Sequence, residues 1–248
     1  MKKYWWIGLI IGGIFLFTAP LLAKSLPPKK EEKKEKPKLL LKEVSEVLKK
    51  WGDIINEMSE KYGVPRVLIA AVIYHESGGK ETAFRYEPIY NLRYIVPASL
   101  KEPLFPGVTV ADIIKGRFIL IDRKKNGYRF KCVRKMDDKE YKTFLELTKG
   151  KDLKKIPANI TRSASIGLMQ LMYDTACKVA GRELNPTELF NPRLNIELGT
   201  KHLAYLYDKF KDWNLAIRAY NAGEKAVEKS KEAGKEYAEI VFKYAGMA

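Results

Sequence analysis

The chain predicts a mainly α fold in which one mixed α+β stretch interrupts a helical frame. Apolar residues recur at helical spacing in residues 39–62 and again after Pro192. Residues 85–160 lose that period, and within them Asn126-Gly127 separates two runs of strand-forming residues, the strongest short-range hairpin signal. With 248 residues and 46% hydrophobic content, the chain has room for one core plus attachments.

The first attachment is residues 1–23. Lys2 and Lys3 precede an apolar run that ends at Ala23, followed at once by Lys24. This pattern marks export. Ala23 suits cleavage, but Leu21 two positions earlier fits the small-x-small rule poorly, and the uncleaved run approaches the ~20 residues that span a bilayer. A retained signal anchor is therefore expected over a cleaved signal peptide. No cysteine lies near residue 23, so lipid attachment there is unsupported. Residues 24–38 are Lys, Glu and Pro with almost no apolar content, and read as a solvated tether.

Residues 39–248 form the expected folded domain. Leu41, Val44, Leu48, Ile55 and Met58 mark a first helix, which Gly52 is expected to break or bend. Pro65 suits the first turn of a second helix, apolar nearly all round from Val67 to Tyr74 and so buried. Within the stretch at 85–160, residues 117–122 and 128–133 read as paired strands and residues 141–147 as a helix. Asn191-Pro192 supplies an N-cap and first-turn pair for a helix with Leu198, Leu203, Leu206 and Phe210 inward. Residues 213–222 and 236–245 complete the frame.

One carboxylate stands out. Glu76 ends the apolar second helix just before Gly78 and Gly79, so apolar surroundings and the negative end of the helix dipole would both disfavour its ionised form. A carboxyl holding its proton near neutral pH can act as a general acid, as in glycoside cleavage. Further on, Gly167-Leu168-Met169-Gln170 contains the chain's only glutamine, and Ala219-Tyr220-Asn221-Ala222-Gly223 ends a short helix at a glycine. Each has a plain structural reading: a solvent-facing helix-end glutamate, core-filling methionines, a buried tyrosine, a helix-ending asparagine.

Taken in order, Glu76-Ser77-Gly78, Gly167-Leu168-Met169-Gln170 and Ala219-Tyr220-Asn221-Ala222-Gly223 resemble the lytic transglycosylase domain of the soluble-lytic-transglycosylase (SLT) type, which is related in fold to goose-type lysozyme. Residues 189–199 are similar to the family's connecting helix. The resemblance covers about residues 50–84 and 160–245. The family's first two motifs lie close in sequence; here Glu76 and Gly167 are 91 positions apart, so an insertion at about 85–160 separates them. The resemblance implies a lysozyme-like domain that cleaves the β-1,4 bond between N-acetylmuramic acid and N-acetylglucosamine in peptidoglycan without water, leaving 1,6-anhydro ends. Glu76 would serve as acid and then base, and Ser77 and Gln170 would shape and hydrogen-bond the site. The backbone or side chain of Met169 would touch a sugar, and Tyr220 and Asn221 would orient acid and substrate. Tyr86, Glu87 and Tyr90 follow soon after Glu76; they would line the groove, or pack beneath the insertion.

Two other readings stand beside this one. A hydrolysing lysozyme would recruit a second carboxylate, Glu81 or Glu87, to activate water. A non-catalytic wall-binding or scaffold protein would keep the fold without needing Glu76. A role in opening the wall for a secretion or pilus apparatus shares the same chemistry, and no protein partner is legible.

The formal charge of +16 arises from lysines interleaved with glutamates rather than from one basic stripe. It suits anionic stem peptides or membrane headgroups, and with export it argues against nucleic acid. Cys132 and Cys177 have no ligand-like spacing to His75 or His202, so neither a metal nor a cofactor is expected. The two cysteines could pair across the insertion or remain buried thiols.

Overall fold

The computed structural model describes residues 42–247. The leader, the tether and Leu41 lie outside them. Among the described residues no helix is long and apolar enough to cross a membrane.

Helix α1 (Lys42–Tyr62) buries Val44, Val47, Ile55 and Met58 along one stripe. Gly52, a candidate break within this run, does not interrupt the helix. The glycine is buried mid-helix, and packing of the apolar stripe outweighs the ~1 kcal/mol that glycine costs relative to alanine. Helix α2 (Arg66–Ser77) packs on α1 with Leu68 through Ile73 fully buried. Its all-round apolar surface makes it the centre of the frame.

Strand β1 (Phe84–Tyr86) leads into a short α3 (Pro88–Tyr90), which runs into a π turn (Asn91–Ile95). After α4 (Val110–Ile113), strands β2 (Ile114–Lys115), β3 (Phe118–Lys125) and β4 (Tyr128–Lys135) form an antiparallel sheet in that order. Asn126 and Gly127 both take positive φ at the β3–β4 turn, the conformation of a two-residue hairpin whose twist matches its strands. Ile119 and Ile121 face Phe130 and Cys132 inward, while Phe118, Leu120 and Val133 face out. Helix α5 (Asp138–Thr148) is capped by Asp137.

The chain then returns to the frame. Strands β5 (Ala164–Ile166) and β6 (Leu171–Met172) form a second sheet with β1, ordered β1-β5-β6, in which Tyr86 lies opposite Ala164. Helices α6 (Tyr173–Ala180), α7 (Pro192–Phe210), α8 (Trp213–Ala222), α9 (Glu224–Lys229) and α10 (Lys235–Tyr244) follow. Asn191 caps α7 through Leu194 N–H, with Pro192 next to it. One apolar cluster joins α1, α2, α7 and α10; another joins the insertion to β1, β5 and α6. This is a mainly α, lysozyme-like fold carrying a β-containing insertion. Cys132 and Cys177 are both free thiols.

Candidate active site

Glu76 lies in the last turn of α2. Gly78 adopts φ 60° and returns its N–H to Tyr74 O at 2.9 Å, which ends the helix there. Ser77 is spent on the same turn: its hydroxyl donates to Ile73 O at 3.0 Å and accepts from Gly79 N–H at 3.2 Å. It shapes the helix end rather than offering a free group.

Tyr237, from α10, donates its hydroxyl to Glu76 Oε1 at 2.6 Å. Burial raises the Glu76 carboxyl from 4.5 to about 7. The Tyr237 hydrogen bond and the Arg85 cation pull the other way, and the Glu87 charge adds to the rise. The acid behaviour expected from the sequence therefore has a physical basis in desolvation. Burial also pushes the Tyr237 and Tyr220 phenols well above their usual range, so both remain hydroxyl donors.

The Gly167–Gln170 turn is tied to this region through Tyr220, whose phenol feels the Glu76 charge. Gly167, at φ 80°, sits where a Cβ would lie 2.3 Å from Leu189 O and from Asn195 Nδ2, so only glycine fits. Buried Asn195 ties the turn together: Nδ2 donates to Ile166 O and Leu189 O, both at 2.9 Å, and Oδ1 accepts from Met169 N–H at 2.8 Å. Gln170 is an internal strut. Its Nε2 donates to Gly167 O at 2.8 Å and Ala83 O at 3.2 Å, and its Oε1 accepts from Ser165 at 2.8 Å. Tyr220 donates to Met169 O at 2.7 Å, joining α8 to this turn. Asn221 is exposed on a cleft of about 340 Å³ that His75, Tyr237 and Lys235 also line.

Two side chains named as candidates for the substrate are buried. The Met169 side chain is fully buried against Gly199, where a Cβ would come within 2.3 Å of its sulfur, so the side chain cannot reach a sugar. Tyr86 is 0% exposed, with its hydroxyl donating to Ala158 O at 2.8 Å. The three-residue strand β1 points its first and third side chains inward, which takes Tyr86 into the core beneath the insertion rather than to a groove. Tyr90 is half-buried with its ring 5.1 Å from Tyr94, among Asp174 and Arg162 rather than Glu76.

Glu87 is held by two arginines, Arg85 at 2.8 Å and Arg134 at 3.4 Å. Arg134 comes from β4 of the insertion and also binds Glu140 through both guanidinium nitrogens and Tyr86 O at 2.7 Å. Glu81 is on the surface, paired with Lys50 at 3.0 Å. A backbone hydrogen bond, with help from that pairing, holds its carboxyl below the usual range.

Sequence reasoning missed Tyr237 and Arg218. Arg218, buried on α8, donates to Ala233 O at 2.8 Å and Lys231 O at 2.6 Å. Those carbonyls precede α10, so Arg218 sets where Tyr237 enters the site. An arginine among the apolar residues 215–219, two positions before a motif tyrosine, was the available signal. Among the described residues no group of three or more His, Cys, Asp and Glu side chains is arranged to hold a metal ion.

Residues 155–242 match the family model described as the transglycosylase SLT domain. The match takes in Met169, Gln170, Tyr220, Asn221 and Tyr237; Glu76 precedes it, on the far side of the insertion. No curated protein matches the chain.

Proposed function

We propose, from the premise that the chain is a lytic transglycosylase of the SLT type acting on peptidoglycan, that Glu76 is its single acid and base and that the products carry 1,6-anhydro-N-acetylmuramic ends. One observation carries the reading: a desolvated carboxyl, bonded to Tyr237 and close enough for its charge to act on Tyr220, which in turn bonds the Met169 carbonyl of the matched domain. Glu76 gives its proton to the glycosidic oxygen as the bond to the anomeric carbon breaks. The muramoyl 6-hydroxyl oxygen then bonds to that carbon, and its proton passes to Glu76. The acid is regenerated and no water is consumed.

The surroundings of the other carboxylates favour this over hydrolysis. An activating base must be free to take a proton from water. Glu87 is clasped by Arg85 and Arg134, and Glu81 is bound to Lys50. Tyr220 and Tyr237 orient the acid and its hydrogen-bonded turn, and Asn221 is the exposed polar group for substrate. Residues 1–23 export the chain to the cell envelope and anchor it there, and residues 24–38 give the domain at 39–248 reach towards the wall.

The test is mass spectrometry of muropeptides released from purified sacculi, with Glu76→Gln alongside. Fragments lighter by one water than hydrolytic ones, absent with the variant, support the reading. Hydrated reducing ends would assign a lysozyme; undiminished lysis by Glu76→Gln would remove the acid role, and binding without release would leave a scaffold.

A further inference from the structure

A second cleft, of about 420 Å³, opens where the hairpin turn of the insertion meets the start of α7. Tyr128, the first residue of β4, forms one wall and is 41% exposed. Its ring lies nearly parallel to that of buried Phe190, at 22° and 5.3 Å between centroids, and Phe190 is held in turn by an edge contact from Phe130. The tyrosine is thus a backed aromatic plate, fixed in place yet open to solvent.

The opposite walls are polar but electrically quiet. Glu188 pairs with Arg182 at 2.6 Å, Glu197 accepts from Lys61 at 2.6 Å and Tyr62 at 2.9 Å, and Arg193 pairs with Glu57. A ligand carrying several charges would find no unmatched partner there. A ligand with apolar C–H faces and a rim of neutral hydroxyl and acetamido groups would find an aromatic plate, paired hydrogen-bonding side chains and the Asn191 amide.

We infer that this cleft is a second saccharide-binding site, which grips the N-acetylated glycan strand away from the point of cleavage. The inference rests on the reading that peptidoglycan is the polymer acted upon. Helix α1 separates the two places: Trp51 donates to Gly79 O just past the acid, whereas Glu57, Lys61 and Tyr62 serve the cleft walls. At ~1.5 Å per residue, the six to eleven residues from Trp51 to that group span roughly 9–17 Å along the helix, so the cleft is a separate place from the acid.

Binding can be measured without turnover, using the full chain with Glu76→Gln and two probes: purified sacculi, and glycan strands stripped of their peptides. Tyr128→Leu, which retains an apolar cover over Phe190, should weaken binding to both by about ten-fold, and Tyr128→Phe should keep it within about two-fold. Should Tyr128→Leu unfold, Tyr128→Trp takes its place and should tighten binding by enlarging the plate. Unchanged binding with Tyr128→Leu, or no gain with Tyr128→Trp where that variant is used, would overturn the inference. So would a loss confined to peptide-bearing sacculi, which would assign the contact of Tyr128 to stem peptides rather than to sugars. Because the readout is binding, hydrated or absent products in the cleavage assay would count against the proposed chemistry and leave this test intact.

Discussion

Glu76→Gln should make the protein more stable, and only above mildly acidic pH. Folding moves this carboxyl from 4.5 to about 7, so the native state keeps a proton that the unfolded chain has released anywhere between those values. A raised carboxyl contributes its full share of stability below the unfolded value, and that share is lost as pH rises through the folded value. The loss amounts to about 3 kcal/mol above pH 7, at ~1.4 kcal/mol per pH unit. Glutamine keeps the shape and an oxygen to accept the Tyr237 hydroxyl, but carries no charge to desolvate. Parent and variant should therefore unfold at similar urea concentrations at pH 4, diverge from pH 4.5 to 7, and differ by about 3 kcal/mol at pH 8, or roughly 6–12 °C in melting midpoint for a domain of this size. Urea and thermal unfolding across that range are the assay. A difference that is constant with pH would refute the argument, since a packing or hydrogen-bond effect would not titrate.

On the proposed mechanism the same electrostatics govern activity. Tyr237→Phe removes a donor that favours the ionised acid, so the alkaline limb of kcat/KM should move up by about one pH unit, on the scale of a hydrogen bond to a charged group. Glu87→Gln should move that limb down and Arg85→Met up, because the first removes a negative and the second a positive charge felt at Glu76; shifts in the same direction would dismiss both as repacking. Gly167→Ala should cost about 3 kcal/mol or more in urea unfolding, since its Cβ would overlap Leu189 O and Asn195 at positive φ.

Features set by local chemistry were legible in the sequence. The glycine stop after Glu76, the Asn-Gly hairpin and the Asn191-Pro192 helix start depend on residues a few positions apart, and each formed where expected. Contacts that depend on tertiary packing were not. Tyr86 and Met169 carry side chains suited to sugars, yet inward-facing strand parity took one and close approach to Gly199 took the other. Tyr237 is an unremarked tyrosine in a Lys/Glu-rich helix, and 161 positions separate it from the carboxylate it binds. Gly52 shows the opposite error, a local preference overridden by the helix packing around it.

That separation of 161 positions also gives the site a place in time. A chain emerges and folds from its N-terminal end, so α2 and its glutamate exist long before α10 can dock. Until residue 237 arrives and Arg218 has secured the turn before it, Glu76 lacks its phenol and one side of its enclosure. An open carboxyl of that kind stays ionised in water and is a poor acid at neutral pH. On the mechanism proposed above, the acid would therefore be assembled only once α10 has docked.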